Sequence, residues 1–125
     1  MLFWFKGVMI FMQIFKILLP HEWRNLQRDQ QTAGAPIDVK DGYIHFSTAA
    51  QLRETAAKHF TLEKEIFVLA FDTDQMDGTL KWEVSRGGEL FPHLYGHLNI
   101  RTVLWHEAVK LKDGWHQFSD RIPLT

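Results

Sequence analysis

The segment "EIFVLAFD", residues 65–72, is the stretch that decides the fold. Its apolar residues follow one another without alternation, which is typical of a strand that is buried on both faces. Other segments have shorter apolar or alternating patterns that also predict strands. These are "QIFKILL" (13–19), "YIHF" (43–46), "LKWEV" (80–84), "IRTVLWHEAVKL" (100–111, one or two strands) and "HQF" (116–118), the last after an Asp-Gly hairpin turn in "KDGW" (112–115).

Two helices are predicted between these strands. The first opens at Pro20, whose ring suits the first helical turn, and continues through "HEWRNLQRDQ". The second begins with a capping box, in which Thr48 is the N-cap and Gln51 occupies the third helical position, and it runs to about Phe60. The order strand, helix, strand, helix and then mostly strands predicts an α+β fold with two helices on a mainly antiparallel sheet.

Three segments between these elements are predicted to be irregular. "QTAGAPIDVKDG" (31–42) reads as a polar loop, and "DTDQMDG" (72–78) reads as a turn or a single helical turn. "SRGGELFPHLYGHLN" (85–99) reads as a long irregular loop. Long loops in compact domains are often functional, so the third segment is the first place to look for a site.

The composition of the chain limits its function classes. Its 125 residues, of which 46% are apolar, are enough for one domain with a real core. The net charge of −1 and the lack of a Lys/Arg block argue against general nucleic-acid binding, which needs a positive surface. No cysteine is present, so disulfides and thiolate metal sites are excluded. We expect a cytoplasmic protein.

The N-terminal segment "MLFWFKGVMIFMQIFKILLP" is apolar enough to suggest a signal or an anchor. Lys6, Gln13 and Lys16 interrupt it, however, and no uninterrupted run approaches the roughly 18–20 residues of a membrane span. We therefore expect no membrane role. We interpret residues 1–11 as an N-terminal extension and Met12 as the place where a natural start would fall, so that the start at Met1 would be a misassignment. Residues 12–125 are then one α+β domain.

The first candidate cluster lies in "DGYIHFST", residues 41–48. In an alternating strand, His45 and Ser47 share a face with Tyr43, away from the apolar side chains. The helix that starts at Thr48 offers free backbone N–H groups there, which can bind an anion or a phosphate. The alternative is structural, with Ser47 and Thr48 capping the helix and His45 bonded to a nearby carbonyl.

The second candidate cluster is Glu83 with Arg86. An arginine on a turn suits a phosphate or a carboxylate because its planar fork donates two parallel hydrogen bonds. Gly87 and Gly88 follow directly and permit positive φ and a close approach of the backbone to a ligand. The alternative is a surface ion pair between Glu83 and Arg86, which would contribute about 0–1 kcal/mol.

The third candidate cluster is in "LFPHLYGHL", residues 90–98, where proline and glycine flank His93 and Tyr95. These two residues are two apart, so they face one way in an extended segment. Alternatively, the aromatic side chains plug the end of the sheet and the histidines are solvated. His93 and His97 are four apart, but the proline and glycine around them disfavour a helical metal site, and we expect no metal.

These motifs resemble a known bacterial family. "DGYIHFSTAAQLRETAAKHF", "LKWEVSRGGELFPHLYGHL" and "DGWHQF" are similar to the family called domain of unknown function 952, over residues 13–118. That family resembles the ADP-ribosyltransferase superfamily in fold. The resemblance implies an ADP-ribosyltransferase-like fold with a cleft for NAD between two small sheets. It implies no established activity.

Together these observations predict a ligand-binding wall. Arg86 would bind a phosphate, Gly87 and Gly88 would admit it, and His93 and Tyr95 would close one side. His45, Ser47 and Thr48 would face them from the second strand. The expected ligand is an anionic, nucleotide-like small molecule, with NAD as a possible cofactor.

Three functions stay open for such a wall. In an NAD-dependent transferase, His45 and Glu83 are the candidate catalytic residues, and the carboxylate would stabilise an oxocarbenium-like charge. A non-catalytic binding module for a phosphorylated molecule would share the Arg86 site and would not need Glu83 for chemistry. A structural or interaction protein would use the aromatic wall as a partner surface. The oligomeric state is left open.

Overall fold

The computed structural model describes residues 2–5 and 8–124, with side chains described from Met12 onward. The strands are β1 (Leu2–Phe5), β2 (Val8–Phe11), β3 (Gln13–Leu18), β4 (Gln31–Thr32), β5 (Ile44–His45), β6 (Glu65–Asp72), β7 (Thr79–Val84), β8 (Leu90–Tyr95), β9 (Leu98–Asn99), β10 (Val103–Lys112) and β11 (Trp115–His116). The helices are α1 (Pro20–Asp29), α2 (Pro36–Asp41) and α3 (Ala49–His59). Short 3₁₀ turns connect several of them. The protein is α+β with mainly antiparallel sheets, as the sequence predicted.

The larger sheet has the strand order β11-β10-β6-β3, and its neighbouring strands are antiparallel. β6 lies inside this sheet and separates two apolar clusters. Leu69 and Phe71 belong to the cluster that includes α1, whereas Ile66, Val68 and Ala70 belong to the cluster that includes α3. Alternate side chains of a strand point to opposite faces, so both faces of β6 are buried. The prediction from "EIFVLAFD" is confirmed.

The smaller sheet has the order β5-β8-β7, and β8 at its centre corrects the predicted loop of residues 85–99. Pro92 and the flanking glycines had suggested irregular structure. The proline ring removes only a donor, and the Pro92 carbonyl still accepts from the backbone N–H of Phe46 at 3.0 Å. The segment "LFPHLY" therefore keeps a full strand, which turns a predicted loop into the middle of a sheet.

Helix α2 corrects the predicted polar loop of residues 31–42, and the chain has three helices in its described part instead of two. Pro36 occupies the first turn, and the Asp38 carboxylate accepts from the backbone N–H of Ala35 at 2.7 Å. Gly42 ends the helix with φ 84°, a conformation that glycine adopts without a steric penalty. Start and stop signals are thus present, but the helix is only six residues long and lacks a clear apolar period.

The two predicted helices are confirmed. Pro20 opens α1, and the backbone N–H of Leu19 donates to the Glu22 carboxylate at 2.8 Å. At α3, the Thr48 hydroxyl accepts from the Gln51 N–H at 3.3 Å, and the Gln51 side chain accepts from the Thr48 N–H at 3.0 Å. This reciprocal pair is the capping box that the sequence predicted.

The N-terminal extension contains β1 and β2, which pair with each other in an antiparallel two-stranded sheet. Met1, Lys6, Gly7 and the side chains of residues 2–5 and 8–11 lie outside the described part of the chain. The interpretation of residues 1–11 as an extension, with Met12 as a start, stays a prediction. No helix in the described residues is long and apolar enough to cross a membrane.

Candidate functional site

The smaller sheet has one apolar and one polar face. Ile44 of β5 and Leu94 of β8 are register partners and belong to the core cluster that includes α1. His45 and His93 are the next register partners, and their side chains lie on the opposite face because side chains alternate along a strand. Their ring centroids are 5.4 Å apart. Two histidines therefore stand side by side on the face that is turned away from this core.

This polar face forms part of a cavity of about 340 Å³. Both sheets and helices α2 and α3 contribute to its walls. Asp41 is the acidic lining residue in the described chain. The basic lining residues are Lys16, His45, His59, Arg86 and His93. The cavity therefore carries a surplus of basic groups, although the chain as a whole is close to neutral.

Asp38 is the buried carboxylate behind one wall of the cavity. Its oxygens accept from Lys16 Nζ at 2.8 Å, from the backbone N–H of His45 at 3.0 Å, and from the backbone N–H of Ala35 at 2.7 Å. The His45 ring lies 2.6 Å from the same carboxylate. Burial opposes the charged form, but the hydrogen bond from His45 and the Lys16 charge outweigh it and lower the pKa of Asp38 to about 2.

The His45 ring is held at both nitrogens. Nδ1 is 2.6 Å from Asp38 Oδ1, and Nε2 is 2.9 Å from Asp41 Oδ2. The Nδ1–Asp38 contact is a hydrogen bond that the carboxylate accepts, whereas the Nε2–Asp41 contact is within ion-pair distance only. The two carboxylates come from α2, the helix that the sequence interpretation read as a loop. His45 therefore has acidic partners that the sequence interpretation did not assign to it.

Glu83 holds the second histidine. Its Oε1 lies 2.9 Å from His93 Nδ1 and accepts from the Tyr95 hydroxyl at 2.8 Å. These bonds, with the one from His93 as the larger cause, lower the pKa of Glu83. The Tyr43 ring stacks on the His93 ring at 4.1 Å between centroids. His93 is thus fixed in both position and orientation.

Arg86 lines the cavity from the turn after β7. Its Nη2 donates to the Thr55 hydroxyl at 3.1 Å, and its guanidinium stacks over the Phe91 ring at 4.9 Å. The nearest carboxylate oxygen, from Glu54, is 3.7 Å from Nε. This differs from the predicted alternative of an ion pair with Glu83, whose bonds go to His93 and Tyr95 instead.

Gly87 and Gly88 have φ values of 68° and 75°, as their predicted role in a turn requires. A Cβ atom at either position would meet nothing within 4 Å, so they face open space. They directly follow Arg86 in the chain, but they are not cavity-lining residues. Their contribution is to let the chain turn tightly after β7.

Ser47 and Thr48 separate in the structure. Ser47 is buried, lines the cavity, and its hydroxyl bonds the Thr55 hydroxyl at 2.8 Å. Thr55 in turn accepts from Arg86, so Ser47 supports the Arg86 side chain through one intermediate. Thr48 is the N-cap of α3 and is absent from the cavity lining, as the structural alternative expected.

Of the sequence-predicted site residues, the structure brings His45, Ser47, Arg86 and His93 to one cavity. Glu83 and Tyr95 stand behind His93, and Thr48, Gly87 and Gly88 lie outside the lining. Sequence reasoning missed Lys16, Asp38, Asp41 and His59. A lone lysine inside the apolar strand "QIFKIL" was a signal, because a buried lysine needs an acidic partner.

The fold and site define a class, namely small α+β proteins with a basic cavity walled by two antiparallel sheets. The chain belongs to the family described as protein of unknown function (DUF952), whose model matches residues 17–106. A comparison with curated proteins finds no match.

Solved structures of one bacterial protein are similar to this chain. The crystal structure of protein CC0527 from Caulobacter crescentus is 38% identical, with a TM-score of 0.82, and the match covers 88% of this chain and 97% of that one. A crystal structure of its double mutant gives 39% identity and the same TM-score and coverage. The solution structure of CC0527 gives 38% identity and a TM-score of 0.78, with 90% and 98% coverage.

Proposed function

We propose that the cavity binds a small phosphorylated, nucleotide-like molecule and that Arg86 is its main charge partner. The observation that carries the proposal is the difference between Arg86 and three other basic side chains of the cavity, which are Lys16, His45 and His93. Lys16, His45 and His93 each lie within 3.0 Å of a carboxylate oxygen. Arg86 bonds a neutral hydroxyl, and the nearest carboxylate oxygen is 3.7 Å away.

A guanidinium in this state keeps donors for a ligand. Arginine has five N–H donors, and one described bond uses one of them. Arg101 provides the contrast on the same chain, because its Nη2 contacts both oxygens of Asp77, at 2.9 and 2.8 Å. The stacking of Arg86 on Phe91 fixes the plane of its fork, which favours a phosphate over a spherical anion.

The size and the apolar part of the cavity suit a nucleotide. A volume of about 340 Å³ is at the lower end of the roughly 300–1,000 Å³ of ligand pockets, so it suits a mononucleotide or one half of a dinucleotide such as NAD. Four phenylalanines line it and offer apolar surface to a base or a sugar. They are Phe15, Phe46, Phe60 and Phe91.

An NAD-dependent transferase, one of the three functions that the sequence leaves open, is a narrower form of this proposal. It needs a carboxylate beside the reacting sugar, and Glu83 was the candidate. In the structure Glu83 is engaged by His93 and Tyr95 behind the cavity wall, so phosphate binding is supported more directly than glycosyl transfer. NAD accordingly belongs among the ligands tested and does not define the function.

Thermal unfolding with a small ligand panel tests the proposal. AMP and NAD should raise the unfolding midpoint because a ligand that binds only the native state stabilises it, by about 2.7 kcal/mol at 100 times its Kd. Adenosine, which lacks the phosphate, should have a much smaller effect. Equal stabilisation by adenosine would overturn the proposal.

Arg86 variants locate the binding. Arg86→Lys keeps the charge but loses the fork, and it should weaken AMP binding by on the order of tenfold or more, as expected for a charge-assisted bond of ~1.5–3 kcal/mol. Arg86→Ala should weaken binding further while the fold is kept. Arg101→Gln is the matched control and should bind AMP as the wild type does. Binding that survives Arg86→Ala would contradict the assignment.

A further inference from the structure

We infer that this cavity is a catalytic site for hydrolysis of a phosphodiester, with His93 as the general base and His45 as the general acid. The inference rests on the proposed function, because Arg86 has to hold the phosphate against the two rings. The inference adds a substrate class and a reaction to the proposed function, which assigns only phosphate binding to this site.

His93 has the features of a base. It is a buried cavity-lining residue, and its Nδ1 is bonded to Glu83. No hydrogen bond to its Nε2 occurs among the described residues, and no completely buried side-chain nitrogen there is unpaired, so Nε2 keeps some access to the cavity. A carboxylate on Nδ1 places the ring proton there and leaves the lone pair on Nε2. Glu83 is then a positioning residue.

His45 has the features of an acid. Nδ1 is bonded to Asp38 and Nε2 lies 2.9 Å from Asp41 Oδ2, so each nitrogen, when it is protonated, has a carboxylate acceptor beside it. Asp38, on Nδ1, is fully buried and fixed by Lys16. Asp41, on Nε2, is partly exposed and also lines the cavity. A proton on Nε2 is therefore the one that can move to a ligand, once the ligand has displaced the Asp41 carboxylate.

The distances allow one phosphate to contact these groups together. The rings of His45 and His93 are 5.4 Å apart. Arg86 stacks over Phe91, which precedes His93 by two positions on β8 and so lies on the same face about 6.6 Å along the strand. A phosphate bound by the Arg86 fork thus lies next to the His93 ring.

The charge of the cavity favours a diester over a monoester. A phosphodiester carries one negative charge, whereas a phosphomonoester carries about −1.5 to −2 at pH 7. Among the described lining residues, Lys16 and His45 lie within 2.9 Å of carboxylate oxygens, whereas the nearest carboxylate oxygen to Arg86, from Glu54, is 3.7 Å from Nε. The loosely paired Arg86 therefore offers one positive charge to a ligand, which matches the single negative charge of a diester.

The reaction balances with water as the only co-reactant. Water gives one proton to His93 Nε2 as its oxygen forms a bond to phosphorus. The ester P–O bond breaks, its electron pair stays on the leaving oxygen, and that oxygen takes the proton from His45 Nε2. The products are a phosphomonoester and an alcohol. His93 has gained the one proton that His45 has lost, and exchange with solvent restores both.

Two substrates separate the acid from the base. Adenosine 2′,3′-cyclic monophosphate has an alkoxide leaving group that needs a proton, whereas bis(4-nitrophenyl) phosphate releases a stable phenolate. Wild-type protein should hydrolyse both substrates. Phosphorus NMR measures hydrolysis of the cyclic nucleotide, and absorbance measures the nitrophenolate that the second substrate releases. His93→Gln should lower kcat on both substrates by about 10²-fold or more, with little change in KM. His45→Gln should lower it strongly on the cyclic nucleotide only.

Two further variants guard against a folding defect. Glu83→Gln should lower kcat on both substrates and shift the His93 tautomer away from Nδ1–H in nitrogen-15 NMR, an effect that loss of stability alone does not produce. His97→Gln, an exposed histidine just beyond β8, should behave as the wild type. A His93→Gln or Glu83→Gln protein that keeps the wild-type rate overturns the inference.

The failure of the inference can be told from that of the proposed function. If AMP and NAD bind in an Arg86-dependent way and neither diester is hydrolysed, the inference is wrong and the proposed function stands. If the nucleotides do not bind and neither diester is hydrolysed, both are wrong. If hydrolysis occurs but is unchanged by Arg86→Ala and His93→Gln, it belongs to a contaminant, and the inference fails.

Discussion

The two carboxylate–histidine pairs of the cavity use the same chemical groups with opposite burial. In the Asp38–His45 pair the acid side chain is 0% exposed and the ring is 32% exposed. In the Glu83–His93 pair the acid is 38% exposed and the ring is 3% exposed. A buried acid must be fully compensated or it destabilises the fold, whereas an exposed acid is free to serve the ring. Burial of the acid therefore distinguishes the two pairs. The Asp38–His45 pair stabilises the fold, whereas the Glu83–His93 pair orients a ring.

The partners of the two acids support this difference. Asp38 accepts from a lysine, two backbone N–H groups and a histidine, and it connects β3, α2 and β5. Glu83 accepts from side chains of β8 only, the strand next to its own. Replacement of Asp38 should thus weaken the contacts among three elements, whereas replacement of Glu83 should affect only the contacts between β7 and β8.

The largest expected effect is on stability, from Asp38→Asn. The amide keeps the shape but leaves the buried Lys16 charge without its counter-ion, and breaking a buried pair in this way costs about 3–5 kcal/mol. Urea unfolding measures the loss. Asp77→Asn removes the exposed pair with Arg101 and should cost about 0–1 kcal/mol. Similar losses for the two variants would remove the distinction between buried and exposed acids.

Acid unfolding sharpens the same comparison. The pKa of Asp38 is about 2 in the folded protein, below its ordinary value of 3.8, so the unfolded chain takes up the proton first as the pH falls. Its stabilising contribution is present above about pH 4 and is lost as the pH falls to about 2. The lowered pKa corresponds to about 2 kcal/mol. Asp38→Asn should remove this part of the acid dependence, and an unchanged profile would contradict the assignment.

Glu83→Gln should have a smaller effect on stability than Asp38→Asn, because the Glu83 side chain is partly exposed and its two partners stay on one strand. Circular dichroism melts of the two variants, recorded side by side at pH 7, measure the difference. Glu89→Gln, an exposed acid on the turn before β8, is the matched control. A Glu83→Gln midpoint as low as that of Asp38→Asn would show that both pairs hold the fold.

The sequence predicted the parts of the molecule that depend on local chemistry. The run "EIFVLAFD" shows its double burial directly, and the Thr48–Gln51 cap needs only residues three apart. The face shared by His45 and Ser47 follows from the period of a strand, and both residues line the cavity.

The parts that escaped the sequence depend on distant contacts. Lys16 and Asp38 are 22 residues apart, and neither segment contains a pattern that indicates the other as its partner. Strand β8 contains Pro92, whose carbonyl accepts from the N–H of Phe46 just after β5, and local rules cannot show this pairing. The partners of Glu83 were missed for the same reason, since β8 had been interpreted as a loop.

The smallest expected effect concerns His59, a cavity histidine with no carboxylate in ion-pair distance among the described residues. Burial is the main cause that lowers its pKa, and the charges of Arg86, His45 and Lys58 lower it further. Arg86→Gln removes one of these charges, so the pKa of His59 should rise while burial still holds it below its usual value. An NMR titration of the His59 ring measures the change, with Arg101→Gln as the control. A bound phosphate should also raise this pKa, because a negative charge favours the protonated ring. If neither Arg86→Gln nor AMP shifts the pKa of His59, Arg86 does not set the electrostatic potential of the cavity. The contrast between Arg86 and the basic side chains that lie within 3.0 Å of a carboxylate oxygen would then have no functional meaning.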